Sequence, residues 1–276
     1  MPEDPRNKIQ NPESAPKFSA VILAGNRQEV DPLLEAEQEP CKALIHLGER
    51  PMIDYVLKAV QRSGHIDDIY VCADPDIPFD EKTTLLKELK QKGLVKMVAS
   101  QEGPAESLAN ALTYINKTKP VIALTADHPL LTRAILKEFM QKSLRAQCDA
   151  SVGVIPTDII ENAYPKSKRT RIQFREGAYT GCNLFALMTE RSRALPSYWE
   201  DIQHFRKTPM QMAKKFGGLL FVKYFLGLMT LNSGLSGISK KLNINIKPVR
   251  MHQPESGIDV DTTEDLALVR DILQNY

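Results

Sequence analysis

Short apolar runs alternate with amphipathic stretches through the first half of the chain. Residues 18–24 (FSAVILA), 67–73 (DDIYVCA), 94–99 (LVKMVA) and 120–126 (PVIALTA) are brief and almost wholly apolar in their centres, the pattern of strands buried on both faces. Residues 51–64 (PMIDYVLKAVQRSG) open on proline and end in glycine, and Met52, Val56, Ala59 and Val60 share one helical face. A charged helix is predicted over residues 81–92 and another over residues 132–146. Between them Leu108, Ala111, Leu112 and Ile115 recur at helical spacing. Strands alternating with helices imply βαβ units, hence an α/β fold with a mainly parallel sheet flanked by helices.

After Asp149 the rhythm changes. Residues 150–156 (ASVGVIP) predict a strand, and RIQF and AYTGCNLFAL on either side of Gly177 a hairpin-like pair. Residues at about 186–242 read as a mostly helical insertion. NIKPVRM follows as a late strand and GIDV as a very short one. Thr262 then caps a final helix, with Asp265 three residues on and Leu266, Val269, Ile272 and Leu273 as its buried stripe. Residues 1–17 hold four prolines and mixed charge without an apolar run. They read as a disordered tail and not as a signal peptide, leaving residues 18–276 as a single domain.

Composition narrows the function classes. The net charge of +2 gives no support for a nucleic-acid-binding role. No stretch reaches the roughly 20 apolar residues of a membrane span. The nearest, residues 217–231, is shorter and interrupted by Lys223; a buried helix or helix plus strand is expected there, with an interfacial segment as the alternative. Cys41, Cys72, Cys148 and Cys182 form no Cys-x-x-Cys pair, so free thiols in a reducing cytoplasm are the economical reading.

Chemistry concentrates in residues 21–60. A strand ends in Leu23, Ala24 and Gly25, a long loop follows, and Lys42 stands just before the next apolar patch. A glycine lets backbone N–H groups approach phosphate oxygens closely, and a lysine from the far end of the loop supplies positive charge. On spacing alone this could equally be a surface loop with a solvated lysine. Neither a Walker loop nor a dinucleotide fingerprint is present.

Three motifs together resemble one family. LAGN…KALIHLGERPMIDYVLKA is similar to the amino-terminal signature LAGG…K-x-L…G-x-P-M-I of nucleotidyltransferases like molybdenum-cofactor guanylyltransferase, the MobA-like NTP transferases. LTADHPLL resembles their Asp-x-Pro-Leu-Leu, and GIDVDTTEDLALV their Asp-Thr-Pro-Glu-Asp-Leu ending. The resemblance implies a nucleotide-diphospho-sugar transferase (GT-A-like) fold. It also implies nucleotidyl transfer from an NTP, CTP or GTP, to a phosphorylated small-molecule acceptor, with Mg²⁺ and release of pyrophosphate. Asn26 stands where the family has a second glycine, Arg27 is the one arginine of the loop, and Thr263 replaces a proline.

Joining two phosphates calls for a divalent cation held by acids from distant parts of the sheet. Asp127 follows the expected strand VIALTA directly, at a carboxyl end where open α/β sheets place ligands; a turn acid capping the next helix is the plainer alternative. Asp259 and Asp261, two apart, face one way while Ile258 and Val260 face the core. The resemblance makes Asp127 and Asp261 the metal ligands, with Asp259 as helper, and Lys42 and Asp127 the catalytic pair. Leu23, Ala24, Gly25, Asn26, Arg27 and Lys42 would hold the NTP. Gly103 and Ser107, where GPAES opens a helix, would face its base or ribose.

Residues 166–177 (KSKRTRIQFREG) hold five basic side chains; Arg169 and Arg171 could grip an acceptor phosphate, and Asn183 in GCNLF could hydrogen-bond the acceptor. Arg206 and Lys207 are further phosphate candidates. The rival readings are a glycosyltransferase using an NDP-sugar, since Asp259-Val-Asp261 spells Asp-x-Asp, and a non-catalytic nucleotide-binding regulator. Base, acceptor and oligomeric state are left open by the sequence.

Overall fold

A computed structural model describes residues 16–25, 31–198 and 227–275. The chain runs through β1 (Phe18–Leu23), α1 (Pro32–Glu37), a 3-10 turn at Lys42–Leu44, a small hairpin of β2 (His46–Leu47) and β3 (Arg50–Pro51), and α2 (Met52–Arg62). It continues through β4 (Ile66–Ala73), α3 (Phe79–Lys82), α4 (Thr84–Gln91), β5 (Val95–Ala99), α5 (Pro104–Leu112), β6 (Val121–Thr125) and α6 (Arg133–Arg145). Then come β7 (Ala150–Pro156), α7 (Thr157–Ala163), β8 (Ile172–Phe174), β9 (Gly177–Leu187), α8 (Leu231–Leu242), β10 (Ile246–Arg250) and α9 (Thr263–Gln274).

The strands line up in the order β10-β7-β9-β6-β1-β4-β5, with β8 paired to β9. β1 is parallel to both β4 and β6, β4 to β5, and β10 to β7, whereas β9 runs antiparallel between β6 and β7. Helices cover both faces, so Val21, Ile22, Ile122 and Leu124 are fully buried. Each such side chain contributes about 1.5–3 kcal/mol of burial. From β1 the chain moves to β4 and β5 on one side and returns to β6 on the other. The carboxyl ends of β1 and β6 therefore flank the switch point where such sheets bind ligands.

Local signals account for most helix boundaries. Pro104 begins α5, Thr132 caps α6 by accepting from Ile135 N–H, and Thr262 and Asp265 form a reciprocal capping box on α9. Two expectations are corrected. The charged helix over residues 81–92 is instead α3 and α4, broken at Thr83, whose φ of −131° is extended; Phe79 anchors one piece in the core and Leu86 and Leu89 the other. GIDV is not a strand. Pro254–Gly257 is a 3-10 turn, and the extended chain after it makes a bond from Val260 N–H to Asp127 O at 2.9 Å, with no ladder. Gly257 is required there, because a Cβ would lie 2.6 Å from Ile160 Cδ1 and 2.7 Å from Ile155 Cγ2.

Of the predicted insertion, residues 186–187 complete β9, Glu190–Ala194 is a 3-10 turn and Leu231–Leu242 is helical. Residues 199–226, with Arg206, Lys207 and most of the apolar stretch, lie outside the described residues, as do residues 1–15 of the predicted tail. Among the described residues no helix is long and apolar enough to cross a membrane. The four cysteines are buried and form no disulfide, and burial pushes the thiols of Cys41, Cys72 and Cys182 up to about 12, which keeps them unreactive.

Candidate active site

Asp127 is the second residue beyond β6, and Lys42 opens the 3-10 turn that follows the loop from β1. Cys41, Ala43, Leu44 and Ile45 on either side of Lys42 are buried, which fixes the root of its side chain. Its ammonium donates to Asp261 Oδ1 at 2.9 Å, across 219 residues of sequence, and pairs with Asp31 Oδ2 at 3.3 Å. Burial favours the neutral amine, but the hydrogen bond to Asp261 and the charges of Asp261, Asp127 and Asp31 outweigh it and hold Lys42 above its usual range. Asp31 was not singled out in the sequence; the Asp-Pro pair that starts α1 was the available signal.

The segment from Gly257 to Asp265 supplies the other side. Ile258 and Val260 are fully buried, which turns Asp259 and Asp261 outward together as expected. The two acids then part company. Asp259 Oδ1 accepts from Arg169 Nη1 at 2.6 Å and its Oδ2 from Asn183 Nδ2 at 2.6 Å. Arg169 also donates to Asp259 O at 3.0 Å and to Ser167 Oγ at 3.1 Å, and forms an ion pair with Asp265. With its side chain only 8% exposed, Arg169 is engaged inside the protein and does not present a free fork to an acceptor. Asp261, by contrast, is 50% exposed.

Asn183 reaches Asp259 from a bulge in β9. Between Val152 and Val154 the β7–β9 register slips, and Asn183 adopts a left-handed φ of 50° that Asn tolerates better than most residues. Gly153 permits this, since a Cβ there would sit 3.1 Å from Leu184 Cβ. Arg171, expected beside Arg169, is exposed and pairs with Glu161 at 2.9 Å. His128 is buried: its Nε2 lies 2.9 Å from Glu255 O, and burial keeps the ring below its usual pKa.

Of the residues expected to hold the NTP, Leu23 and Ala24 give their backbone to the sheet: Ala24 N–H donates to Cys72 O and Leu23 O accepts from Ala126 N–H. Gly25 comes close to the loop after β5, where a Cβ would meet Ser100 Cβ at 3.1 Å. Gly103 is the N-cap of α5, and Ser107 shapes the loop before it by donating to Gly103 O at 2.7 Å and accepting from Gln101 N–H at 2.8 Å. Asn26 and Arg27 lie outside the described residues.

The electrostatics of this end of the sheet are one-sided. Asp31, Asp127, Asp259, Asp261 and Asp265 face the cations Lys42 and Arg169. Burial, then the charge of Asp259 and that of Asp261, push the Asp127 carboxyl up to about 7 against the pulls of the neighbouring Thr125 hydroxyl and of Lys42. Its Oδ1 is sealed from solvent with no hydrogen-bond partner. Among the described residues no three His, Cys, Asp or Glu side chains form a ready cage for a metal ion. The surplus negative charge and the orphaned Oδ1 nonetheless fit a hard cation of the kind that takes one or two carboxylates and completes its shell with water and substrate phosphates.

Nucleotidyl transfer is the class of chemistry this fold and charge arrangement suit, and comparison with known proteins gives the family. Residues 20–178 match the MobA-like NTP transferase domain, and the chain belongs to that family. It is 22% identical over 163 residues to a 2-C-methyl-D-erythritol 4-phosphate cytidylyltransferase of Clostridium tetani, an alignment covering 59% of this chain and 63% of that relative's length. Among solved structures, a hypothetical transferase from Thermus thermophilus superposes with a TM-score of 0.73 at 25% identity, over 91% of this chain and 99% of that one. A 4-diphosphocytidyl-2C-methyl-D-erythritol synthase from Anaerococcus prevotii gives a TM-score of 0.55 at 17% identity, over 94% and 99%. A CMP:2-keto-3-deoxy-manno-octonic acid synthetase complexed with CTP gives 0.56 at 14% identity, over the same shares. The last two carry the fold alone, the nucleotide-diphospho-sugar transferase fold expected from the sequence.

Proposed function

We propose that this chain transfers a nucleoside monophosphate from an NTP to a phosphorylated small-molecule acceptor and releases pyrophosphate. The observation that carries the reading is the meeting of Lys42 with Asp261 beside Asp127, three groups drawn from three distant parts of the sequence. An acceptor phosphate oxygen, already ionised, attacks the α-phosphorus of the NTP. The bond to the bridging oxygen breaks, and pyrophosphate leaves with the electron pair. No covalent enzyme intermediate and no proton transfer are needed.

Lys42 holds the β- and γ-phosphates, and the close approach of Gly25 to Ser100 leaves backbone near them. Asp127 and Asp261 would hold Mg²⁺, whose role is to offset charge on the triphosphate and align it. Asp259, bound by Arg169 and Asn183, orients the segment that carries Asp261. Catalysis comes from positioning and charge neutralisation. Gly103 and the loop held by Ser107 face the base or ribose. CTP is the favoured NTP, because two of the similar proteins are cytidylyltransferases or synthases named for a cytidyl product. Arg171, exposed beside the hairpin, is the available phosphate grip on the acceptor side.

The test is a screen of the four NTPs against sugar, polyol and pterin phosphates with Mg²⁺, read by pyrophosphate release. Turnover with CTP, lost in Asp127→Ala, supports the proposal. Turnover that survives Asp127→Ala, or a thermal response to NDP-sugars alone, overturns it.

A further inference from the structure

Lys42 already has an anion on it that the proposed reaction does not use. Asp31 sits at 3.3 Å from the ammonium and is 24% exposed. It is also well anchored. Its Oδ1 accepts from Leu33 N–H at 3.0 Å as the N-cap of α1, and its backbone carbonyl accepts from Leu34 N–H and Glu35 N–H. The helix it caps is stapled at its other end, where Glu37 forms a two-pronged pair with Arg270 at 3.0 and 2.6 Å and Glu39 pairs with Lys82 at 2.6 Å. These contacts set the Asp31 carboxylate against Lys42 by the fold itself.

Resting on the reading that Lys42 holds the triphosphate, we propose that Asp31 is an internal competitor for that lysine: the phosphate chain displaces it on binding, and it returns to Lys42 as pyrophosphate leaves. An ammonium has three donors, and here two of them face carboxylates. An incoming polyphosphate must take the place of at least one carboxylate and approach the charge of both. Asp261 has a role of its own toward the cation. Asp31 has none, so its negative charge acts only against the anion. Its contribution is to weaken polyphosphate binding and hasten product release, which keeps pyrophosphate from holding the site.

The experiment measures calorimetric affinity for inorganic tripolyphosphate and pyrophosphate, without metal, in the wild type, Asp31→Asn, Asp31→Ser, Asp31→Glu and Lys42→Met. Asn and Ser both keep the helix cap while removing the charge, so the fold is retained and checked by melting. Both neutral variants should bind both anions about two- to fivefold tighter, the size expected for a partly exposed charge at this range, and the gain should shrink with added salt. Asp31→Glu should stay near the wild type. The proposal fails if neither neutral variant binds tighter while Lys42→Met abolishes binding. If Lys42→Met binds as the wild type does, the triphosphate site itself is misassigned, and this inference falls with it.

Discussion

At the amino end of the sheet, Lys17 and Lys119 pair with Asp67 and Asp68 within 3.3 Å, two cations against two anions. Arg193 lies nearby and donates to the backbone carbonyls of Leu112, Ile115, Asn116 and Lys119, closing the turn before β6. At the carboxyl end, five aspartates face Lys42 and Arg169, and Asp127 keeps an oxygen with no partner. Charges that balance within the fold only hold it together. Charges left in excess at a strand end are what the proposed nucleotide and cation site rests on. The same contrast recurs inside the carboxyl end, where Arg169 closes around Asp259 and Asp265 while Lys42 and Asp261 stay partly open.

The largest way to break this contrast is to open the closed half. Arg169→Met leaves buried Asp265 and half-buried Asp259 without their cation, and chemical denaturation should show a loss of about 3–5 kcal/mol. Next is the open half. Asp127→Asn should lower pyrophosphate release at least about a hundredfold while the fold persists. Because burial and neighbouring acids raise the Asp127 carboxyl to about 7, the stability it contributes is present at low pH and lost as pH rises through 7. The metal-free Asn variant should therefore melt above the wild type at pH 8, and below pH 4 this advantage should disappear.

A smaller effect is expected at Asp54, an acid in the first turn of α2. Burial, opposed by Arg50 and His46, raises it from 3.8 to about 6, and its Oδ1 is unpaired. Its contribution is complete below pH 3.8 and lost as pH rises through 6, so Asp54→Asn should gain about 1–2 kcal/mol at pH 7.5 and nothing at pH 3.5, by denaturation midpoints. If Asp127→Asn shows the same pH profile and leaves turnover intact, surplus charge does not distinguish the site. The smallest effect is at the balanced amino end. Lys119→Met should cost less than about 1 kcal/mol, and the cost should fall further in high salt.

Much of the fold was legible because its signals are local. A strand buried on both faces reads as an apolar run, and Thr262 with Asp265 reads as a helix start, since each depends on neighbours a few residues away. The outward pairing of Asp259 and Asp261 followed from alternation, although the segment is a turn and an extended stretch and no strand. Reading residues 81–92 as one helix failed because buried Thr83 and Phe79 serve the core at the break, a tertiary demand that the charged pattern does not reveal.

The sequence by itself determined the alternation of strands and helices, the place of Asp127 at a strand's end and the family. Those rest on spacing within one element or on motif order, which need no knowledge of what lies across the sheet. Only the tertiary structure decided that Arg169 belongs to Asp259 and Asp265, that Asn183 turns inward on a bulge, and that Asp31 shares Lys42 with Asp261. Ion pairs form wherever the packed chain brings opposite charges within reach. Partners 90 or 219 residues apart are chosen by the topology of the sheet and leave no local mark in the sequence.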